Sequence, residues 1–258
     1  MMNITPMVRN ILIINVVAFL AFDYFGSSDM FALYNFQSSR FRYYQLVTHI
    51  FMHGGFGHLF GNMFTLFIFG PMLESRWGGD RFLLFYLVTG IGASILFLAV
   101  QTYEFKELKT DTEQYINNPT PINFMNYQEV HLQNQYIELT KAFRNEPSSS
   151  EIINFTVQVA KKFYNSIIEI SSVRGASGAV FGILMAFGML FPNTELMLLF
   201  FPFPIKAKYF VMLYGAYEIY AGIQRQPGDN VAHYAHLGGM LFAYILIKFW
   251  EKERANFY

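Results

Sequence analysis

The chain has 258 residues, 53% of them hydrophobic and 19% aromatic but only 14% charged, with a mean hydropathy of +0.28. Lys+Arg and Asp+Glu balance at 18 each, so no basic face for nucleic acid is expected. The absence of cysteine excludes disulfides, thiol nucleophiles and thiolate metal sites. The apolar residues gather into runs near the length of about 20 that crosses a bilayer, which predicts a polytopic membrane protein with the lipid bilayer as its solvent.

In chain order, six spans are expected at 8–25, 46–73, 82–100, 176–191, 209–223 and 231–250. The first has no small-residue cleavage site and is too long for a removed signal peptide. Glu74, Ser75, Arg76, Trp77, Gly78 and Gly79 close the second span. Pro192 stops the fourth, and 196–204, with two prolines, reads as an interfacial loop. Between spans three and four lies a polar insert, 101–173. Its apolar spacing predicts amphipathic helices at 124–143 and 149–170, a water-exposed helical hairpin. Ser148 is placed to cap the second helix, with Glu151 three residues on. The domain expectation is spans one to three at 1–100, the insert at 101–173 and spans four to six at 174–258, all one integral membrane domain. The short loops on one side carry Arg9, Arg76, Arg81, Lys206, Lys208, Lys248, Lys252 and Arg254. Those on the other hold only Arg40, Arg42 and Arg225, with Arg174 at the end of the insert. This bias predicts that both termini are cytoplasmic.

With that topology the even-numbered spans run from outside to inside, each with its polar residues near the outer end. Span two carries His49, His53, His58 and Asn62; span four carries Ser177; span six carries His233 and His236. Ionisable groups inside a membrane are costly and face a cavity or a partner. Ser177 stands in Gly175-Ala176-Ser177-Gly178, in the first turn of its expected helix. Unpaired N–H groups and the helix dipole there favour an oxyanion. The same position also suits an ordinary helix cap. A helix over 176–191 reaches only about 24 Å, so its start is expected below the membrane surface, in a wet cavity. Gly178, Gly182 and Ala186 form a small-residue stripe, as do Gly239 and Ala243, and such stripes let helices pack closely. His58 and Asn62, four apart, share a helix face and can both donate hydrogen bonds.

His58-Leu59-Phe60-Gly61-Asn62, Gly175-Ala176-Ser177-Gly178 and Ala235-His236-Leu237-Gly238-Gly239, in this order, resemble the rhomboid family of intramembrane serine proteases. The resemblance covers about 7–250 apart from the insert. It implies an all-α membrane protein, a six-helix bundle with a helical insert between spans three and four. It also implies a serine endopeptidase that cleaves transmembrane or membrane-adjacent segments of substrate proteins. By that similarity Ser177 is the nucleophile and His236 the general base, a dyad with no third carboxylate. His58, Asn62 and the Ser177 backbone N–H supply the oxyanion hole, and Gly175 and Ala176 line the same pocket. Glu74, Trp77 and Gly78 resemble a structural element of the family. No metal or cofactor is implied, and the expected location is a bacterial inner membrane. The chain departs from many members at Tyr43-Tyr44-Gln45, where they carry Trp-Arg, and at Phe181, where some place a Tyr under the catalytic His. Two other readings compete. One is a zinc site among His49, His53, His58, His233 and His236, which no acidic residue is expected to join. The other is a non-proteolytic membrane-segment-binding protein or transporter of the same fold.

Overall fold

The computed structural model describes residues 4–24, 26–133, 135–198, 201–224 and 231–255; Arg225 lies outside them. Its contacts divide the chain into two units, one of 1–33, 41–98 and 172–258, the other of 34–40 and 99–171.

A helix occupies each of the six apolar stretches of the first unit. The first is α1 (Pro6–Tyr24), followed by the short α2 (Ser28–Phe31) and α3 (Gln45–Thr48) and one 3-10 turn, His49–Phe51. The second stretch is therefore not the single helix expected over 46–73. Gly55, at φ 155°, caps a new helix, α4 (Phe56–Trp77), and leaves His49 and His53 ahead of it. Among the described residues, two helices, Phe56–Trp77 and Gly79–Asn117 (α5), are long and apolar enough to cross a membrane, and Pro6–Phe22 and Ser177–Leu190 are shorter apolar segments. After α9 (Ser177–Leu190) come α10 (Ala207–Gln224) and α11 (His233–Ala255).

The central element is α9, ten of whose fourteen residues are buried, so it presents apolar side chains on nearly every face. Ala179, Val180 and Ile183 join Val8, Leu59, Leu66, Phe82, Phe85 and Ile247 in one core. Helix α1 is held by Glu74 of α4. Its carboxylate accepts from the Met7 and Val8 N–H groups at 2.9 and 2.8 Å and from the Thr5 hydroxyl, satisfying donors that the start of a helix leaves unpaired. Gly78, at φ 82°, ends α4 in the left-handed region, and Trp77 packs edge-on to Trp250, 5.3 Å between centroids. The element expected to be structural is built as one.

The stretch expected as an interfacial loop is instead an antiparallel hairpin, Glu195–Leu198 with Phe201–Lys206. Proline argues against a central strand, but a two-stranded hairpin has only edges, where a missing N–H costs no ladder bond. With the short strands Leu33–Tyr34 and Ser172–Val173, this qualifies the all-α expectation: the molecule is mostly helical, with small sheets.

In the second unit α5 runs unbroken to Asn117, past the expected end of a span at 100. The unit continues through α6 (Pro121–His131), α7 (Ile137–Asn145) and α8 (Ser150–Ile170), so it is more than a hairpin. Gln133 and Tyr136, both at positive φ, break the helix expected over 124–143. Thr120 caps α6, and Ser149, not Ser148, caps α8, its hydroxyl accepting from the Ile152 N–H. The apolar faces close on a core of Tyr115, Phe124, Tyr127, Leu132, Phe143 and Ala160. Buried hydroxyls pair within it: Tyr115 donates to Thr156 at 2.6 Å, and Thr112 lies 2.9 Å from the Tyr127 hydroxyl.

Candidate active site

The turn ahead of α9 is built before its helix begins. Arg174 Nη2 pairs with Asp29 Oδ1 at 2.9 Å, and the Gly175 N–H donates to the His49 carbonyl at 2.9 Å. Gly175 stands at φ 129°, a conformation that favours glycine, and the space over its Cα is taken. A Cβ there would lie 2.6 and 2.7 Å from His58 Cε1 and Nε2 and 3.7 Å from Asn62 Nδ2. The two donors expected to share a helix face are therefore gathered at the N-terminus of α9. Gly175 and Ala176 are buried and Ser177 is half-buried.

The donors are also free to act. Asn62 is buried, yet its Nδ2 has no hydrogen-bond partner among the described residues, a costly condition that a bound acceptor would relieve. The Gly54 N–H lies 3.4 Å from His58 Nδ1 and donates to it, which leaves the Nε2–H facing Gly175. His53 is buried against His58, with ring centroids 5.2 Å apart. His49 serves the backbone: its Nδ1 lies 2.7 Å from the Gln45 carbonyl and its own carbonyl holds Gly175.

Small residues bring α11 against α9. A Cβ on Gly239 would lie 1.8 Å from the Gly178 carbonyl oxygen, and one on Gly178 3.5 Å from that of Ala235. The helices therefore meet backbone to backbone at the level of Ser177. His236 stacks on Phe181, one turn after Ser177, at 4.0 Å and 8°. The ring contact thus exists with phenylalanine in place of tyrosine. At the other departure, Gln45 is buried and ties the loop, its Nε2 donating to the Met30 carbonyl at 3.2 Å while its Oε1 accepts from the Arg42 N–H.

The expectation that no acidic residue stands among the histidines is overturned. Glu218 of α10, 2% exposed, places Oε2 2.6 Å from His233 Nδ1 and 2.9 Å from His236 Nδ1. Glu218 was legible in the sequence as the one charged residue of the apolar stretch 209–223, a signal of function in itself. The ligand atoms of these three residues lie within 4.8 Å of one another. The oxygen–nitrogen distances are nevertheless those of hydrogen bonds; zinc would hold its ligand atoms about 3.3 Å apart.

The rhomboid domain model matches residues 40–105 and 149–251, more than half of the chain, and passes over 106–148. The chloroplastic rhomboid-like protein 11 of Arabidopsis thaliana is 36% identical over 89 residues, 33% of this chain and 30% of its own length. The rhomboid protease candidate YdcA of Bacillus subtilis is 36% identical over 95 residues, 35% of this chain and 48% of its own. The mitochondrial rhomboid-like protein 12 of Arabidopsis is 27% identical over 230 residues, 88% of this chain and 52% of its own. The chain thus spans about a third to a half of the length of these relatives. They come from organelles as well as from a bacterium, so the expectation of a bacterial inner membrane draws no support from them. With the matched segments containing all three ordered motifs around α9, the chain belongs to the rhomboid family of membrane proteins.

Proposed function

We propose that the chain is an intramembrane serine endopeptidase in which Ser177 is the nucleophile and His236 the general base. The observation that carries this reading is the pair of free donors, Asn62 Nδ2 and the His58 ring, gathered over Gly175 where α9 begins. An oxyanion hole needs donors placed before the reaction, so that none has to reorient as the charge develops. The Ser177 N–H, unpaired in the first helical turn, is the third donor.

Ser177 Oγ attacks the carbonyl carbon of a substrate peptide bond as its proton passes to His236 Nε2. The tetrahedral oxyanion takes the three donors. Collapse breaks the C–N bond, His236 returns the proton to the leaving amine, and water then hydrolyses the acyl-enzyme by the same path. The substrate is a transmembrane or membrane-adjacent segment, locally unwound so that its carbonyl is exposed. Under this reading α1, α4, α5, α9, α10 and α11 cross the bilayer. At fourteen residues α9 reaches about 21 Å, so Ser177 lies below the surface of a hydrocarbon core of about 30 Å.

The deciding experiment is reaction of the purified chain with a fluorophosphonate probe and with a model transmembrane substrate. Wild type is expected to label and cleave, and Ser177→Ala to do neither while keeping its helical circular dichroism. Cleavage retained by Ser177→Ala would reject the assignment.

A further inference from the structure

We infer that Glu218 is a positioning residue of the reaction, turning the expected dyad into a Ser177–His236–Glu218 relay in which His233 is the second donor to the same carboxylate. The inference rests on the assignment of Ser177 and His236 above. Among the described residues of α10, Glu218 is the one carboxylate, and it is almost wholly withdrawn from solvent. A buried carboxylate must recover in hydrogen bonds what it loses in hydration. Here two imidazole Nδ1 atoms converge on one oxygen at 2.6 and 2.9 Å.

That convergence has a chemical consequence. An ionised carboxylate only accepts, so each ring must present Nδ1–H to it, and neutral His236 is thereby held in the tautomer whose lone pair is on Nε2. Nε2 is the atom that must take the proton of Ser177. Two surfaces fix the ring: Phe181 stacks on its face at 4.0 Å and Glu218 holds its Nδ1 edge. The imidazolium formed during attack then lies beside a negative charge already in place, a stabilisation with no reorganisation at the moment of reaction. Glycines on α10 permit the approach. Gly222, four residues after Glu218 and so on its face, would place a Cβ 3.3 Å from His233 Cβ, and Gly215 one 3.1 Å from Met240 Cε. No bond in this arrangement changes during turnover except those to the protons described.

The test compares wild type, Glu218→Gln, Glu218→Asp and Ser177→Ala as purified full chains. It reads kcat and KM on a transmembrane substrate, the fluorophosphonate labelling rate, the melting temperature and the ring ¹⁵N shifts of labelled histidine. In a soluble protease, converting the triad carboxylate to an amide lowers kcat about 10⁴-fold through the wrong tautomer. For Glu218→Gln the expected loss is about 10²–10⁴-fold in kcat and in labelling, with KM within about twofold. The ¹⁵N shifts should move from the Nδ1–H toward the Nε2–H tautomer, and Glu218→Asp should regain at least about tenfold of the lost rate. Wild-type kcat in Glu218→Gln, or a loss that follows the melting temperature with unchanged ring tautomers, would overturn the relay. Should Ser177→Ala still cleave, the nucleophile assignment fails instead, a result distinct from either.

Discussion

His58 and Asn62 differ in how much each can contribute to an oxyanion. Asn62 is buried with its amide nitrogen unpaired, whereas His58 is exposed and already takes a hydrogen bond on Nδ1. Removing one oxyanion donor from a soluble protease costs about 10²–10³ in kcat. Asn62→Ala is therefore expected to lower kcat by about that factor with little change in melting temperature, since it leaves no unpaired amide behind. Steady-state kinetics on a transmembrane substrate check it; a wild-type kcat would make Asn62 a packing residue. The two histidines on Glu218 separate in the same assay. His236 stacks over Phe181 beside the start of α9, while His233 lies a turn earlier against Tyr217. His236→Ala is expected to be as inactive as Ser177→Ala. His233→Ala removes one of two donors to Glu218 and should keep substantial activity; the reverse result would move the base one helical turn toward the N-terminus of α11.

Helices α9 and α11 can meet at Ser177 only because neither carries a side chain where they cross. Adding a methyl at Gly239 drives it into the Gly178 carbonyl, a backbone atom that no rotamer change can move aside. Overpacking of this kind typically costs about 1–3 kcal/mol. Gly239→Ala is expected to reach the top of that range and to cut fluorophosphonate labelling more than about tenfold, by pushing His236 away from α9. Gly61→Ala, where a Cβ meets nothing within 4 Å, is the matched control and should label normally. In the second unit the segment 34–40 is held by the end of α8. The Ser39 N–H donates to Glu169 at 2.9 Å, the Ser38 and Ser39 hydroxyls follow at 3.1 and 2.8 Å, and together with the Arg40 charge they hold the Glu169 carboxyl below its usual range. A carboxyl depressed in the folded state contributes stability above its unfolded value of about 4.5, and that contribution is lost as pH falls through the folded value. Hydrogen exchange at 34–40 should accordingly quicken as pH drops below about 4.5, after correction for the intrinsic rate, and Glu169→Gln should flatten the dependence.

The second unit has its own core, and the rhomboid match passes over 106–148. The match resumes at 149 and so takes in α8; from the separate core we propose that the unit is an added part on which the site does not depend. Where to cut follows from packing. Deleting 106–148 alone would strip Ile152, Ile153 and Val157 of α8 of the core they pack against, whereas deleting about 102–171 removes α8 with its partners. The longer deletion, bridged by a flexible linker, is expected to keep activity on a generic transmembrane substrate. Loss of all cleavage in a variant that still labels with fluorophosphonate would mean that the unit delivers substrate. Loss of both in a folded protein would mean that it completes the site.

Local chemistry made much of the molecule readable. Apolar runs near bilayer length marked the helical stretches, because a backbone in lipid must satisfy its own hydrogen bonds. Glycine, serine and histidine in three ordered motifs marked the family, and the small-residue stripes marked where α9 and α11 would touch. Three features needed the folded chain. The break at Gly54-Gly55 divides an apolar run that hydropathy cannot divide, since the main-chain conformation, not the polarity, changes there. Helix α5 continues into polar sequence because Tyr115 and Thr112 find partners on α8 and α6. Glu218 joins His233 and His236 only through the packing of α10 on α11. Its isolation among apolar residues declared that it needed a partner, but which partner depended on residues fifteen and eighteen positions away along the chain.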